Sequence, residues 1–166
     1  MRRRTSGTAS GSMIVETAMW MPVFFLLIVG MLHLGEITYT YYVLSKIEYA
    51  AAQFLATQQG VDFCNQNYTA AINFAINDNT TGQPLVANLT PDMLQVTTQC
   101  IDPTTGVAGT CDTSECATGI GNPQTPAYIT VSIPGGYAIN PNIPYIQLPP
   151  IELMPSVTVP FGGSAL

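Results

Sequence analysis

Few residues in this sequence could do chemistry. The chain has one histidine, His33, four cysteines, Cys64, Cys100, Cys111 and Cys116, ten carboxylates and four bases. A serine–histidine–carboxylate set would have to use His33, which lies in an apolar run and reads as a histidine near a membrane–water boundary. Zinc needs three or four ligands at close spacing, and there is no C-x-x-C pair to start one. No glycine-rich loop precedes a lysine for phosphate binding. The acids after residue 61 are scattered without an Asp-x-Asp-x-Asp calcium loop; Asp112 and Glu115 read as a solvated turn. Asn67, Asn79 and Asn88 each open an N-x-T triplet, which is expected by chance in a stretch so rich in Asn and Thr. No catalytic constellation, metal site or cofactor site emerges, so the expectation is a protein that is not an enzyme. Two arrangements remain: an even set of cysteines, and a glutamate, Glu16, five residues after Gly11 at the mouth of an apolar segment.

The elements that must position these residues follow from charge and hydropathy. Charged residues make up 8% of the 166, against about 25% in an average soluble domain. That excludes a nucleic-acid binder, which needs a basic face. Arg2, Arg3 and Arg4 stand at the head of the chain, and Lys46 is the only base beyond them. Basic residues before an apolar helix stay on the cytoplasmic side of a membrane. Between Glu16 and Glu36 run 19 residues, TAMWMPVFFLLIVGMLHLG, without an acid, lysine or arginine. As a helix they span about 28 Å, close to the roughly 30 Å hydrocarbon core of a bilayer. The run is longer than the core of a secretory signal. Pro22 would kink such a helix, and a membrane tolerates the kink. Gly30 and Gly35 are places where another helix could come close.

The helix is expected to outlast the bilayer. From Glu36 to Gln59 there is no Pro or Gly, and Val43, Leu44, Ile47, Ala51, Phe54 and Leu55 recur at helical spacing. Tyr39, Tyr41 and Tyr42 fall where an interfacial aromatic belt belongs, and Gly60 is a natural cap. One helix is therefore predicted over 12–59, about 70 Å long, spanning the membrane over about 17–35 and amphipathic over 36–59. Beyond it, 60–166 predicts an extracytoplasmic β-rich head: a short helix over Tyr68 to Asn77, strands at Leu94 to Ile101, Ala127 to Ile133 and Ser156 to Phe161, and a turn at Pro134-Gly135-Gly136. Pro160 puts the last strand at an edge. Pro103, Gly106 and Gly109 predict a loop. The proline-rich INPNIPYIQLPPIELMP predicts an extended segment laid over the sheet, with Ile143, Tyr145, Ile146, Leu148 and Ile151 either covering it or meeting another subunit. The fold class is α+β: a long N-terminal helix followed by a small antiparallel sheet with long Pro/Gly-rich loops. Four cysteines outside the cytoplasm predict two disulfides. Three connectivities are open; the short spacing favours Cys111–Cys116, with Cys64–Cys100 stapling the sheet to the helix end.

Residues 11–16, Gly11-Ser12-Met13-Ile14-Val15-Glu16, are the most specific pattern in the chain. A carboxylate at the start of a membrane span costs several kcal/mol unless it is paired. One reading leaves Glu16 at the headgroup boundary, favoured by the helix dipole. The other comes from resemblance: a basic leader over 1–11, then G-x-x-x-x-E, then an apolar helix, resembles a type IV prepilin. That resemblance implies cleavage between Gly11 and Ser12 by a prepilin peptidase. It also implies that Glu16 neutralises the new amine of a neighbouring subunit, which would set the stagger between stacked helices.

The stretch from Gly11 through the alanine cluster Ala50 to Ala52 is similar to the TadE-like pseudopilins of Tad (Flp-type) pili. Gly11, Val15, Glu16, Ala18, Pro22, Gly30, Gly35 and Tyr39 carry the likeness over about 45 residues. Thr17 stands where that family favours an aromatic. The chain is much longer than the major Flp pilins, which points to a minor subunit. The resemblance implies a pilin-type helix and head, held in the bacterial inner membrane with its N-terminus cytoplasmic and then built into an extracellular filament serving adhesion. The implied partners are other pilin or pseudopilin subunits, the prepilin peptidase and the inner-membrane assembly platform. The rivals are a main subunit of its own filament and a single-span anchored binding module that never polymerises.

Overall fold

The computed structural model describes residues 9–58, 63, 68–77, 81–102, 104–111, 126–143 and 146–162. The leader as far as residue 8, Gly60, Cys64, Cys116, Asn67, Asn79, Asp112, Glu115 and Tyr145 lie outside them.

One helix, α1 (Ala9–Thr57, 49 residues), passes through Pro22 without interruption. At 1.5 Å per residue it is about 74 Å long. It has two physically different halves. From Met13 to Leu34 the large apolar side chains are exposed, Met13, Trp20, Phe24, Phe25, Leu27 and Leu34 among them, and Val29 alone is half-buried. From Leu44 onward a stripe is buried: Leu44, Ile47, Glu48, Ala51, Ala52, Leu55 and Ala56. These positions recur at three and four residues, so they share one face of a 3.6-residue helix. The alanines keep that face thin and let other elements approach closely.

A second helix, α2 (Thr69–Ile76), buries Ala71, Ala75 and Ile76 and lies against α1. Phe74 is 46% exposed, and its ring leans on Phe54 of α1 with centroids 5.1 Å apart. A 3-10 turn at Pro91–Met93 then leads into the sheet.

The strands are β1 (Gln95–Ile101), β2 (Ala108–Thr110), β3 (Tyr128–Ser132), β4 (Tyr137–Ile139), β5 (Asn142–Ile143), β6 (Ile146–Gln147), β7 (Ile151–Leu153) and β8 (Ser156–Pro160). The main sheet has the order β2-β1-β3-β8, antiparallel throughout. Its register aligns Val96, Val131 and Val157 in one row, and Thr98, Ile129 and Val159 in the next. Ile129 and Val131 are fully buried, and β3 and β8 carry this face onto the second half of α1. The alternate residues face outward: Thr97, Thr130 and Thr158 share a row, with the hydroxyls of Thr130 and Thr158 2.8 Å apart. Period-two alternation thus supplies one core face and one polar face. Pro160 lies on the edge strand β8, where its missing N–H costs no ladder bond. Gly162 N–H reaches back to the Ala56 carbonyl at 3.1 Å, tying the end of the sheet to α1.

Two expectations about loops are corrected. Gly109 is not loop but the middle of β2, opposite Cys100. The reversal before it is built by Asp102, whose carboxylate accepts the backbone N–H of Thr104 at 2.7 Å and of Thr105 at 3.4 Å. Hydrogen bonds from Thr104, side-chain first and then backbone, hold this carboxyl below its ordinary 3.8. Gly106 closes the turn at φ 68°, a left-handed conformation that favours glycine. The proline-rich stretch is likewise more than an extended loop. β5 pairs with β6 inside it, and its β7 pairs with β4, which ends at the stretch's first residue, Ile139, although the prolines limit each ladder to two or three residues. Leu153 of β7 joins the core, whereas Leu148 and Ile151 stay exposed.

The expected disulfide pairing is also corrected. Cys100 bonds to Cys111, with Cα atoms 4.8 Å apart. The cause is the β1–β2 pairing: it sets Gly109 opposite Cys100 and so brings Cys111 alongside. This excludes both Cys111–Cys116 and Cys64–Cys100. The bridge staples a sheet edge to itself, not the sheet to the helix.

Candidate functional site

The first half of α1 is the feature that a freestanding protein would not keep. Its most apolar window has a mean hydropathy of 2.0, and none of that window is buried. Among the described residues α1 is the one helix long and apolar enough to cross a membrane. In water such a surface would aggregate or seek a partner; in lipid it is matched to its solvent.

The residues singled out in the sequence sit along this rod. Gly11 is in the opening turns of α1 and exposed, as is Glu16; Ser12 continues the same helix. Five residues of helix separate Gly11 from Glu16 by about 7.5 Å along the axis. Thr17 donates its hydroxyl to the Met13 carbonyl at 2.8 Å. A threonine that satisfies its own hydroxyl within the helix is tolerated in an apolar setting, which explains how this position can depart from an aromatic. Nothing lies within 4 Å of a Cβ placed on Gly11, Gly30 or Gly35, so the small positions are open faces.

Polar groups gather where the apolar run ends. His33 Nδ1 lies 3.6 Å from Glu36 Oε2, one helical turn on. Tyr39, Tyr41 and Tyr42 are exposed just beyond, and the Lys46 ammonium lies 5.8 Å from the centre of the Tyr42 ring. Together they form a band of amphipathic side chains at one end of the apolar rod, as at a membrane–water interface. The His33–Glu36 pair was missed in the sequence; its i, i+3 spacing was the available signal.

Further along, the seam between α1 and the head holds the least expected group. Glu48 is fully buried, and among the described residues neither carboxylate oxygen has a hydrogen-bond partner. Burial pushes its carboxyl up from 4.5 to about 7. The signal was again present in the sequence, since Glu48 follows Leu44 by four residues and precedes Ala52 by four. Against that signal stands the charge itself, since a glutamate on a helix is usually solvated.

Among the described residues no three His, Cys, Asp or Glu side chains converge. The arrangement instead suits assembly: an exposed apolar rod with an acid near its start, a polar belt at its middle, and a head clamped on its far half. No curated protein and no solved structure matches the chain. The resemblance carried by Gly11 through Ala52 is borne out at the level of the family, because residues 11–53 match the family model described as TadE-like protein.

Proposed function

We propose that this chain is a structural subunit, a minor pilin or pseudopilin, of a Tad-like type IV pilus, and that its work is assembly rather than catalysis. The observation that carries the reading is a coincidence in sequence. The segment that matches the TadE-like family, residues 11–53, begins at Gly11, contains Glu16, and covers the exposed apolar half of α1.

A prepilin peptidase cuts between Gly11 and Ser12. The released amine, with an ordinary pKa of about 8, is mostly cationic at neutral pH. Glu16 pairs with that amine on an adjacent subunit, because a charge entering an apolar bundle needs a partner. The basic residues of the leader keep the N-terminus cytoplasmic during insertion. An assembly platform in the inner membrane then draws the helix out into a filament, where neighbouring helices replace lipid around it. The head faces outward and serves adhesion.

Mass spectrometry of the mature protein from cells with and without the peptidase tests the cleavage. The expected N-terminus is Ser12 in the first case and the intact leader in the second. Glu16→Ala is expected to insert in the membrane normally but to reduce incorporation into sheared filaments by about tenfold or more. Wild-type incorporation by that variant would overturn the pairing. An uncut chain that never enters filaments would favour the single-span binding module, and a copy number rivalling the bulk subunit would make it a main pilin.

A further inference from the structure

Glu48 does nothing in the assembly reading, yet it is as fully buried as the core residues Leu44, Ala51 and Ala52 on the same helix. It lies on the buried stripe of α1 between Leu44 and Ala52, the face on which α2, β3 and β8 are packed. A carboxylate there loses its hydration, and only a base or several donors would compensate. Among the described residues neither oxygen meets a donor.

The packed elements offer no base to neutralise it. α2 and β8 contain no ionisable residue. β3 contains only Tyr128, which is 37% exposed and alternates with the buried Ile129, so it stands on the outer face. On α1 itself the nearest ionisable neighbours are Lys46 and Tyr49. Both are exposed, and Lys46 is drawn toward the Tyr42 ring. Lys46 is also the only lysine or arginine after Arg4. Within one chain, a proton is therefore the one cation available to Glu48.

We infer that the docking of the head on α1 is proton-linked through Glu48, with the docked form favouring the neutral acid and ionisation favouring a seam opened to water. The raised pKa, about 7 against 4.5, agrees with this geometry. The docked state binds the proton more tightly than the opened state, so docking is strongest below about 4.5. It weakens as pH rises toward about 7 and changes no further above that. The seam is then an acid-tightened clasp between the rod and the head. The inference does not depend on cleavage at Gly11 or on filament entry.

The test uses the full chain in detergent micelles. Amide hydrogen exchange of the 44–56 segment, β3 and β8 is followed from about pH 5 to about pH 8, corrected for intrinsic exchange, in wild type and Glu48→Gln. In wild type the opening equilibrium is expected to rise about tenfold or more across that range, and Glu48→Gln is expected to remove most of the rise. Parallel profiles in the two proteins would overturn the inference. A second measurement needs no variant: the side-chain carboxyl carbon of Glu48 is followed by NMR. A midpoint well above the ordinary glutamate value supports the clasp, and a midpoint near about 4.5 overturns it.

Discussion

Leu44 and Leu27 are the same residue on the same helix, and their surroundings make them opposites. Leu44 is wholly buried beneath the head, while Leu27 is 54% exposed on the apolar rod. Truncating a buried leucine removes its transfer free energy and leaves a cavity, which costs about 2–5 kcal/mol. Leu44→Ala is therefore expected to lower the stability of the head by that amount in denaturant titrations in micelles. Leu27→Ala is expected to leave the same transition within about 0.5 kcal/mol. Equal effects would mean that the two halves of α1 do not divide the labour between solvent-facing rod and core. This division was legible in the sequence. The segment after Glu16 has no polar face, whereas after Glu36 the apolar residues fall at helical spacing. What could not be read was the burial of Glu48. Its neighbours at i−4 and i+4 gave its side of the helix, but its charge argued for the opposite one.

At the scale of elements, the parts found from sequence were those with strong local signals. α1, α2, β1, β3 and β8 announce themselves by period or by runs of β-branched residues. β2 has no such signal. Ala-Gly-Thr forms a strand only because β1 lies beside it and the Asp102 turn aims it there. The small β4–β7 and β5–β6 pairs are hidden by prolines for the same reason: tertiary pairing decides them, not propensity. Without β2 the cysteine pairing is not legible either, since Cys111 reaches Cys100 through that hairpin. The corrected bridge closes a short loop, and in the chain-entropy account such a loop is worth about 3 kcal/mol. Non-reducing peptide mapping is expected to find the Cys100 peptide joined to the Cys111 peptide. Replacing both with serine is expected to speed amide exchange in β2 and at the end of β1 while leaving the α1–β3–β8 seam protected. Loss of protection at the seam first would show that the bridge holds the sheet to the helix after all.

The whole molecule is built around a helix that belongs to two environments, and this determines where it can be cut. The head's core is not contained in the head. Leu44, Ile47, Ala51, Ala52, Leu55 and Ala56 come from α1 and pack with Ala71, Ala75, Ile129, Val131 and Val159. Removing residues 1–35 takes away the apolar rod, none of whose most apolar window is buried, and leaves every one of those core residues in place. That fragment is expected to be water-soluble, monomeric on gel filtration and cooperatively folded by calorimetry. The three tyrosines at its new end are still exposed, but they carry hydroxyls and lie next to Glu36 and Lys46. Removing residues 1–59 takes the same rod together with the whole buried stripe. The inner faces of β3 and β8 and the buried side of α2 would then meet water. At about 25 cal/mol per Å² of apolar surface, exposing several such side chains exceeds the roughly 5–15 kcal/mol that holds a domain together. The shorter fragment is expected to lack a cooperative transition and to aggregate. Cooperative folding by the shorter fragment would mean that the sheet and α2 form a self-sufficient core, and that α1 is merely leaned against it. Failure of the longer one would mean that the apolar rod supports the head as well as anchoring it. The expected contrast makes the second half of α1 an integral part of the head, so a force applied to the rod within a membrane or a helical bundle passes into the sheet through buried contacts rather than through a linker.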